Sequence, residues 1–285
     1  MTPALLVVNP FSGNKRGMRA AQLIAKRLRP HFDLSIFVSN AYGEAASEIQ
    51  KRQHEIEVVF VVGGDGTVNE VLQVVVNTHL TLGLFPVGSG NATAYELGIF
   101  TMKIGIRKIL QGRIKSYDCG RVNGRYFMNI AGTGFDTEVA KDFAQQNHRG
   151  LQGYVRLILK HYFRFKPLNI TIETGNQKWE KMAFMVNIAN MRQLGNFAFT
   201  APMAKPNDAI LDVCLLKPFP KAYTSDIIMR LFSLNLDKSR FYEHYPVKEV
   251  LIKGDFTHAN VDGESIRVNG KMNIAVVPKS VKIYA

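Results

Sequence analysis

The stretch Gly63–Thr67 constrains the fold more than any other part of this chain. It follows an apolar, β-branched run, Val58–Val62, and precedes a helical pattern that begins at Val68. A short apolar run of this kind is typical of a buried strand, and the glycines let the main chain turn with positive φ before the helix. Main-chain N–H groups in such a loop can point at phosphate oxygens near a helix N-terminus. The stretch therefore predicts a strand–loop–helix unit that binds phosphate.

Other interpretations of this loop stay open, because glycine-rich loops also form plain tight turns. The loop lacks the Gly-Lys-Ser/Thr ending of a Walker motif and the Gly-x-Gly-x-x-Gly dinucleotide pattern, which disfavours the common nucleotide folds. Thr67 and Glu70 have the spacing of a capping box, and so do Thr93 and Glu96. We therefore expect these two pairs to mark where two helices begin.

The first third of the chain alternates apolar runs with helical patterns, which predicts a parallel α/β sheet. Ligands of such sheets bind beyond the carboxyl ends of the strands, where we expect three polar loops, Asn9–Gly13, Gly63–Thr67 and Pro86–Asn91, to converge. The predicted strands are Ala4–Val8, Leu34–Val38, Val58–Val62 and Leu82–Phe85, and the predicted helices lie at about Met18–Leu28, Glu44–Gln53, Val68–Val76 and Thr93–Leu97.

The pattern changes near residue 115 to apolar runs separated by turns. Asn123-Gly124 and Asn269-Gly270 favour two-residue hairpin turns. Alternating or β-branched segments, of which Tyr126–Ala131 is the first, predict an antiparallel β-sandwich. The predicted fold class is therefore α/β plus all-β. The domains are residues 1–114 and 115–285, the final strand is a candidate to return to the first domain, and the two domains are expected to share a cleft.

Composition limits the function classes. The 285 residues are 46% hydrophobic, enough for two cores, and the formal charge of +13 favours polyanionic partners. Because no nucleic-acid module accompanies the charge, we expect no nucleic acid partner, whereas an anionic membrane surface fits. The chain lacks an apolar stretch of about 20 residues, which predicts a cytoplasmic protein. The two cysteines, Cys119 and Cys214, have no metal-ligand spacing and predict no disulfide.

Six motifs follow one another along nearly the full chain. They are Asn9–Gly13, Gly63–Val71, Pro86–Asn91, Asn129–Asp136, Lys205–Asp212 and Asp262–Glu264. In this order they resemble the diacylglycerol kinase catalytic family, which includes bacterial lipid kinases and sphingosine kinases. The resemblance implies an N-terminal nucleotide-binding α/β domain followed by a β-sandwich, with the active site in the interdomain cleft.

The resemblance also implies the site residues. Asp65, Asp262 and Glu264 would be catalytic; one of the last two would be the general base, and the sequence does not separate them. The residues implied to surround ATP are Asn9, Ser12, Gly13, Ser39, Gly63, Gly64, Asp65, Gly66, Thr67, Asn69, Glu70, Ser89 and Asn91.

Mg²⁺ is the second cofactor that the resemblance implies. Asp65 would hold the ion beside ATP, and Asp208, with the main-chain carbonyls of Lys205 and Ile210, would hold a second, structural ion. A plain turn before a strand explains the second group equally well. Ala92 departs from the bacterial pattern, which usually has aspartate after the asparagine of the third loop. This change puts strict diacylglycerol specificity in doubt.

The expected function is therefore an ATP- and Mg²⁺-dependent lipid kinase of lipid metabolism that phosphorylates a hydroxyl of a membrane lipid such as diacylglycerol or a sphingoid base. We expect peripheral association with the membrane, and a homodimer stays open. Residues 151–166 are a candidate membrane contact, because apolar side chains fall on one side of a helical pattern and basic ones on another. A helix packed on the sandwich has the same pattern. The alternatives are an NAD kinase-like enzyme and a non-catalytic nucleotide- or lipid-binding protein.

Overall fold

The computed structural model describes residues 1–144, 157, 160–162, 165–195 and 197–285. The chain forms two compact units. Unit 1 comprises Met1–Asp118 and Pro278–Ala285, and unit 2 comprises Cys119–Val277. Within the described part of the chain, no helix has the length and apolar character needed to span a bilayer.

Unit 1 is a parallel sheet with helices. The strands pair in the order β2–β1–β3–β4–β18, where β1 is Thr2–Val8, β2 is Phe32–Val38, β3 is Val58–Gly63, β4 is Thr81–Pro86 and β18 is Lys271–Tyr284. Every residue of β3 is buried, as expected for a central strand of a parallel sheet. The helices are α1 (Ser12–Lys15), α2 (Gly17–Leu28), α3 (Glu44–Arg52), α4 (Asp65–Val75), α5 (Ala92–Glu96) and α6 (Met102–Leu110).

Unit 2 contains two antiparallel sheets that enclose one apolar core. The six-stranded sheet has the order β14–β13–β10–β7–β16–β17, where β7 is Ile130–Gly134, β10 is Met185–Ala189, β13 is Leu211–Leu216, β14 is Tyr242–Val247, β16 is His258–Val261 and β17 is Glu264–Arg267. The strands on the other side of the core are β5 (Ile114–Val122), β6 (Arg125–Phe127), β8 (Leu168–Thr174), β9 (Gln177–Ala183) and β15 (Glu249–Gly254), and β18 pairs with both β5 and β15. Side chains of both sheets interleave in the core, among them Ile172, Ile252, Val186 and Val261. The predicted fold class is confirmed.

The smaller elements of unit 2 lie outside the main sheets. Helix α7 is Phe135–Ala144 and helix α8 is Thr224–Phe232; two short strands, β11 (Gln193–Gly195) and β12 (Ala198–Phe199), pair with each other, and single turns of 3₁₀ helix cover Lys221–Tyr223 and Leu236–Lys238. Both Asn-Gly pairs adopt positive φ in turns, as predicted. Most of the candidate membrane segment at residues 151–166 lies outside the described residues.

One strand prediction is wrong in an informative way. The segment Tyr126–Ala131 is not one strand, because β6 ends at Phe127 and β7 begins at Ile130. Between them, the main-chain N–H groups of Met128 and Asn129 donate to the carboxylate of Asp262, at 2.7 and 2.8 Å. A side chain distant in sequence therefore replaces the strand partner at this point.

Candidate functional site

Three loops meet at one edge of the sheet in unit 1. Strands β1, β3 and β4 are parallel neighbours, so the loops that follow them leave the same edge. The N–H of Asn9 donates to the carbonyl of Val62 (3.0 Å), and the side-chain amide of Asn9 donates to Oγ1 of Thr67 (3.2 Å). The predicted convergence of Asn9–Gly13 with the Gly63–Thr67 loop is thus present in the structure.

The second and third loops touch through their main chains. A Cβ atom on Gly88 would lie 2.5 Å from Cα of Gly64, and one on Gly64 would lie 3.1 Å from Cα of Gly88. The N–H of Val87 donates to the carbonyl of Gly63 at 3.0 Å. Since ordinary carbon contacts lie near 3.5–4.0 Å, no side chain fits at Gly88 without moving the loops apart. The two glycines keep main-chain atoms exposed where two loops cross.

Asp65 joins the same loops through its side chain. Its Oδ2 accepts from the N–H of Ala92 (2.9 Å) and its Oδ1 accepts from the N–H of Thr93 (3.1 Å), at the start of helix α5. A carboxylate at a helix N-terminus is stabilised by these N–H groups and by the helix dipole. The contact uses the main chain of Ala92, whose side chain is buried, so it does not require an aspartate there.

The two predicted capping boxes are wrong. Helix α4 begins at Asp65 with Gly64 as its N-cap, and helix α5 begins at Ala92; neither has a side-chain cap from its own segment. Glu70 is buried and accepts from the N–H groups of Gly43 and Ala45, both at 2.9 Å, at the start of helix α3. The Glu70 carboxylate caps α3 rather than its own helix α4, because the fold brings the first N–H groups of α3 to the carboxylate.

The remaining predicted ATP residues differ in surroundings. Ser12 and Gly13 begin helix α1, and Gly13, at φ +60°, lies against the carbonyl of Val87. Ser39 is buried at the end of β2 and donates to the carbonyl of Ala41 (3.1 Å). The side-chain amide of Asn91 makes two hydrogen bonds with the main chain of Gly88: it accepts from the N–H (2.9 Å) and donates to the carbonyl (2.6 Å). Ser89 is exposed, Gly66 lies in the first turn of α4, and Asn69 is buried, with its side-chain oxygen accepting from Gln73. Their roles toward ATP stay predictions.

Asp262 and Glu264 have different surroundings in unit 2. The carboxylate of Asp262, which is 7% exposed, accepts from the N–H groups of Met128 and Asn129 and, at 3.0 Å, of Ile130. Asp262 adopts φ +48°, which an aspartate tolerates in a turn. Glu264 is half-buried and pairs with the guanidinium of Arg125. Asp262 therefore holds the turn before β7, whereas Glu264 presents a partly accessible carboxylate.

The predicted second metal group lies in a turn before β13. Asp208 is exposed, and its Oδ1 accepts from the N–H of Ile210 at 3.2 Å; Lys205 is exposed as well. Ala209 adopts φ +61°, consistent with a tight turn. Over the residues that the structure describes, three or more acidic, histidine or cysteine side chains do not cluster in a way that could hold a metal ion. A structural ion here stays a prediction.

Comparisons with known proteins identify the family of the chain. Residues 3–122 match the diacylglycerol kinase catalytic domain, and residues 129–285 match the YegS C-terminal NAD kinase beta sandwich-like domain. The diacylglycerol kinase of Bacillus subtilis (strain 168) is 30% identical over 227 residues, which cover 76% of this chain and 74% of that protein. This chain belongs to the diacylglycerol kinase family. The predicted family and the prediction of a kinase are confirmed.

Other members of the family extend the similarity to nearly the whole chain. A Serratia proteamaculans (strain 568) protein named probable lipid kinase YegS-like is 28% identical over 290 residues, 98% of this chain and 93% of its own. The crystal structure of a diacylglycerol kinase from Bacillus anthracis str. Sterne superposes with a TM-score of 0.76 over 99% of this chain and 96% of that chain, at 20% identity. The latter similarity concerns the fold alone.

Unit 2 of this kinase-family chain also contains a pocket that the sequence did not predict. It encloses about 610 Å³, part of it open to solvent, and its accessible surface is almost entirely apolar. The lining comes from α7, α8, the six-stranded sheet and the loops beside it, so its residues are scattered from position 135 to 236. It is lined by Phe135, Asp136, Tyr162, Phe184, Met185, Leu194, Ala198, Thr200, Leu216, Phe219, Thr224, Ile227, Ile228, Leu231 and Leu236.

Asp136 is the ionisable group with a strongly altered pKa in this pocket. Burial raises the pKa of Asp136 to about 6, although the nearby N–H group of Thr137 and the hydrogen bond from the side chain of Asn187 oppose that rise. The amide nitrogen of Asn187, oriented toward its two acceptors, donates to Oδ2 of Asp136 (2.9 Å) and to the carbonyl of Val186 (3.1 Å). A carboxyl group with a shifted pKa in an apolar pocket is a common mark of a functional site.

Proposed function

We propose that this chain transfers the γ-phosphate of ATP to a hydroxyl group of a membrane lipid, in the class of diacylglycerol, monoacylglycerol or sphingoid bases. Membership of the family supports a kinase and a lipid acceptor. The observation that carries the proposal is the main-chain contact between Gly64 and Gly88, at the sheet edge where helix α4 begins. An edge of this kind suits a polyphosphate, because N–H groups and a helix N-terminus lie there without side chains in the way.

Unit 1 would bind ATP through the first turn of α4. The first α-helical bond of α4 runs from Val68 to the carbonyl of Gly64 (3.1 Å), so the N–H groups of Gly66 and Thr67 lie in the first turn, where a helix N-terminus suits phosphate. Asn9 would keep Thr67 oriented through the hydrogen bond between their side chains. In the proposal, residues 1–114 are the ATP-binding domain and residues 115–285 bind the lipid.

Asp65 would hold Mg²⁺ beside the phosphates. Its carboxylate oxygens accept the N–H groups of Ala92 and Thr93, and carboxylate oxygens are the ligand type that Mg²⁺ prefers, so Asp65 fits this ion in kind. When bound, the ion neutralises charge on the phosphoryl oxygens. Asp208, with the carbonyls of Lys205 and Ile210, is the candidate for a structural ion, and oxygen ligands in a turn fit such an ion in kind.

We assign acceptance of the lipid hydroxyl proton to Glu264 rather than to Asp262. Three main-chain donors already engage the buried carboxylate of Asp262, which ties it to the turn before β7 and away from a substrate hydroxyl. Glu264 is partly accessible, and Arg125 holds it in one orientation. Asp262 would be a positioning residue, because its hydrogen bonds fix the turn that leads into β7.

The pocket of unit 2 would receive an aliphatic chain of the lipid. Its almost entirely apolar lining matches hydrocarbon, and ligand pockets are lined mainly by such side chains with a few polar groups. Phe197 and Met229 are more than half exposed, and each follows or precedes a lining residue along the chain. Together with the net charge of +13, these side chains support peripheral contact with an anionic membrane.

Transfer of radiolabel from ATP to lipids in mixed micelles tests the proposal. The acceptors are diacylglycerol, monoacylglycerol, phosphatidylglycerol, sphinganine and ceramide, with NAD as a soluble control and with Mg²⁺ present or chelated. We expect a labelled lipid only with Mg²⁺, and loss of turnover in Asp65→Ala and Glu264→Gln with ATP binding retained in Glu264→Gln. Label in NAD alone would support the NAD kinase-like alternative, and ATP binding without any product would support a non-catalytic protein.

A further inference from the structure

The pocket of unit 2 contains two buried polar atoms that have no partner among the described residues. They are Oδ1 of Asp136 and Oγ1 of Thr200, on side chains that are 4% and 1% exposed. An unpaired buried polar atom is unfavourable, so native proteins seldom contain one without a reason. Here both atoms belong to the same otherwise apolar pocket. A ligand that pairs with them would remove this penalty.

The two oxygens of the Asp136 carboxylate are not equivalent. Oδ2 accepts from the side chain of Asn187 at 2.9 Å, which fixes the plane of the carboxylate, whereas Oδ1 is the atom without a partner. Packing on the apolar side is dense, because the rings of Phe135 and Phe184 stack with centroids 4.6 Å apart. The carboxylate is therefore held in place, with one buried oxygen that pairs with none of the described residues.

The register of the six-stranded sheet links this carboxylate to the strand that contacts Asp262. Asn187 on β10 lies opposite Gly132 on β7, and a Cβ atom on Gly132 would lie 1.9 Å from the Asn187 side chain. Ile130, whose N–H donates to Asp262, is two positions earlier on the same strand, about 7 Å away at 3.3–3.4 Å per residue. Asp136 is thus hydrogen-bonded to a residue that pairs with β7, the strand whose first residue donates to Asp262.

We propose that Asp136 is a specificity-determining residue that accepts a hydrogen bond from a second polar hydrogen of the lipid, next to the hydroxyl that is phosphorylated. The preferred acceptor then carries a hydroxyl or ammonium group at that position, as in a monoacylglycerol or a sphingoid base. Diacylglycerol carries an ester there, which offers acceptor atoms only. This inference rests on the proposed function and narrows its substrate class.

The chemistry of the carboxylate selects a donor. A carboxylate oxygen only accepts hydrogen bonds, and two facing acceptors repel, so an ester carbonyl next to Oδ1 would be unfavourable. An ammonium group would in addition compensate the buried negative charge. The hydroxyl of Thr200 can accept or donate a hydrogen bond, so it can pair with either a hydroxyl or an ammonium head group. Asp136 and Thr200 together favour polar hydrogens at the end of an apolar chain.

The test compares kcat/KM for monoacylglycerol, sphinganine and diacylglycerol of equal chain length in the wild-type protein and two variants. Asp136→Asn keeps the shape of the side chain, and Thr200→Val removes one hydroxyl at nearly constant volume. Asp226→Asn is the control, because it removes a carboxylate from the helix that lines the pocket, where that group pairs with Arg230. Thermal unfolding verifies that each variant is folded.

We expect the wild-type protein to prefer at least one of the two donor-bearing lipids over diacylglycerol. Asp136→Asn should lower kcat/KM for that lipid by about 10- to 100-fold, the usual range for one hydrogen bond to a charged group, and change diacylglycerol turnover by less than about threefold. Loss for sphinganine alone identifies an ammonium group, and loss for monoacylglycerol identifies a hydroxyl. The ratio between lipids is the decisive readout, because a merely structural role would lower all three equally.

Several results would overturn the inference while leaving the proposed function intact. They are a wild-type preference for diacylglycerol, equal losses for all three lipids, or unchanged ratios in Asp136→Asn; if that variant does not fold, unchanged ratios in Thr200→Val count in the same way. If no lipid is labelled at all, the proposed function fails instead. Equilibrium binding of radiolabelled sphinganine then decides the inference: binding about tenfold weaker in Asp136→Asn supports it, and equal binding refutes it.

Discussion

Replacing Asp136 with asparagine should stabilise the protein at alkaline pH relative to acidic pH. Burial raises the pKa of this carboxyl from 3.8 to about 6, so the folded state resists ionisation that the unfolded chain undergoes freely. A group with a raised pKa contributes its full share of stability below pH 3.8 and loses it as the pH rises through about 6. The carboxylate therefore destabilises the folded state at neutral and alkaline pH.

The magnitude follows from the two pKa values. Their difference corresponds to about 3 kcal/mol once the pH exceeds both, and the part that develops between pH 4.5 and pH 8 is about 2 kcal/mol. An amide at this site does not titrate, but its NH₂ group takes the place of an unpaired oxygen and brings a penalty of its own. That penalty is nearly independent of pH and cancels when the two pH values are compared.

Urea denaturation of the wild-type protein and of Asp136→Asn at pH 4.5 and pH 8 measures this difference. We expect the variant to gain about 2 kcal/mol relative to the wild type between the two pH values, with unchanged m-values. Asp226→Asn serves as the control, because its carboxylate pairs with Arg230 on helix α8. Parallel stability curves for the wild type and Asp136→Asn would refute the reasoning, since they would mean that the buried carboxyl titrates as an ordinary one.

Three further substitutions test the architecture of the site. Asp262→Asn should lower the free energy of unfolding by roughly 2–4 kcal/mol in urea denaturation, because an amide leaves part of the three-donor contact unpaired. Gly88→Ala should weaken ATP binding by more than about tenfold in calorimetry, because its Cβ would lie 2.5 Å from Gly64; Gly254→Ala, with a similar clash in unit 2, should leave ATP affinity unchanged. Glu70→Ala should lower the free energy of unfolding by about 1–2 kcal/mol through loss of the cap on helix α3. The assignment of Asp262 or Glu70 would be contradicted if its variant were as stable as the wild type. The assignment of Gly88 would be contradicted if Gly88→Ala and Gly254→Ala changed the affinity for ATP equally.

The buried carboxyl illustrates how a functional group can oppose stability. A neutral side chain of similar shape at position 136 would remove the ionisation penalty, yet the chain keeps an aspartate whose one oxygen lacks a partner among the described residues. Polar groups that are unfavourable in the folded state are commonly kept where a ligand completes their hydrogen bonding. The urea measurement therefore tests what the buried Asp136 carboxylate costs in stability, and the ratios of kcat/KM between lipids test whether it binds a ligand.

Local signals along the chain were sufficient for the fold class and for the position of the loops. The apolar run Val58–Val62 predicted a buried strand and the glycines after it predicted a tight turn before a helix, so strand, loop and helix followed from neighbouring residues. The Asn-Gly pairs likewise specified their turns, because asparagine and glycine tolerate positive φ. Features of this kind depend on interactions within a few residues, which the sequence displays directly.

Contacts between distant residues could not be predicted in this way. Sequence spacing paired Glu70 with Thr67, but the fold brings the start of α3 within 2.9 Å of the Glu70 carboxylate. The carboxylate of Asp262 ends strand β6 from more than 130 positions away along the chain. Such contacts depend on which helices and strands are neighbours in the folded protein, and hydrophobic periodicity does not specify which elements become neighbours.

Sequence by itself determined that this chain is a two-part α/β and β-sandwich protein of the diacylglycerol kinase family, because its motifs and periodicities are local. Only the tertiary structure decided that Asp262 is held by main-chain donors while Glu264 stays partly accessible, and that Asp136 lies in an apolar pocket. The physical reason is burial. The protonation and hydrogen bonding of a side chain depend on what the fold packs around it, and those neighbours come from all parts of the chain.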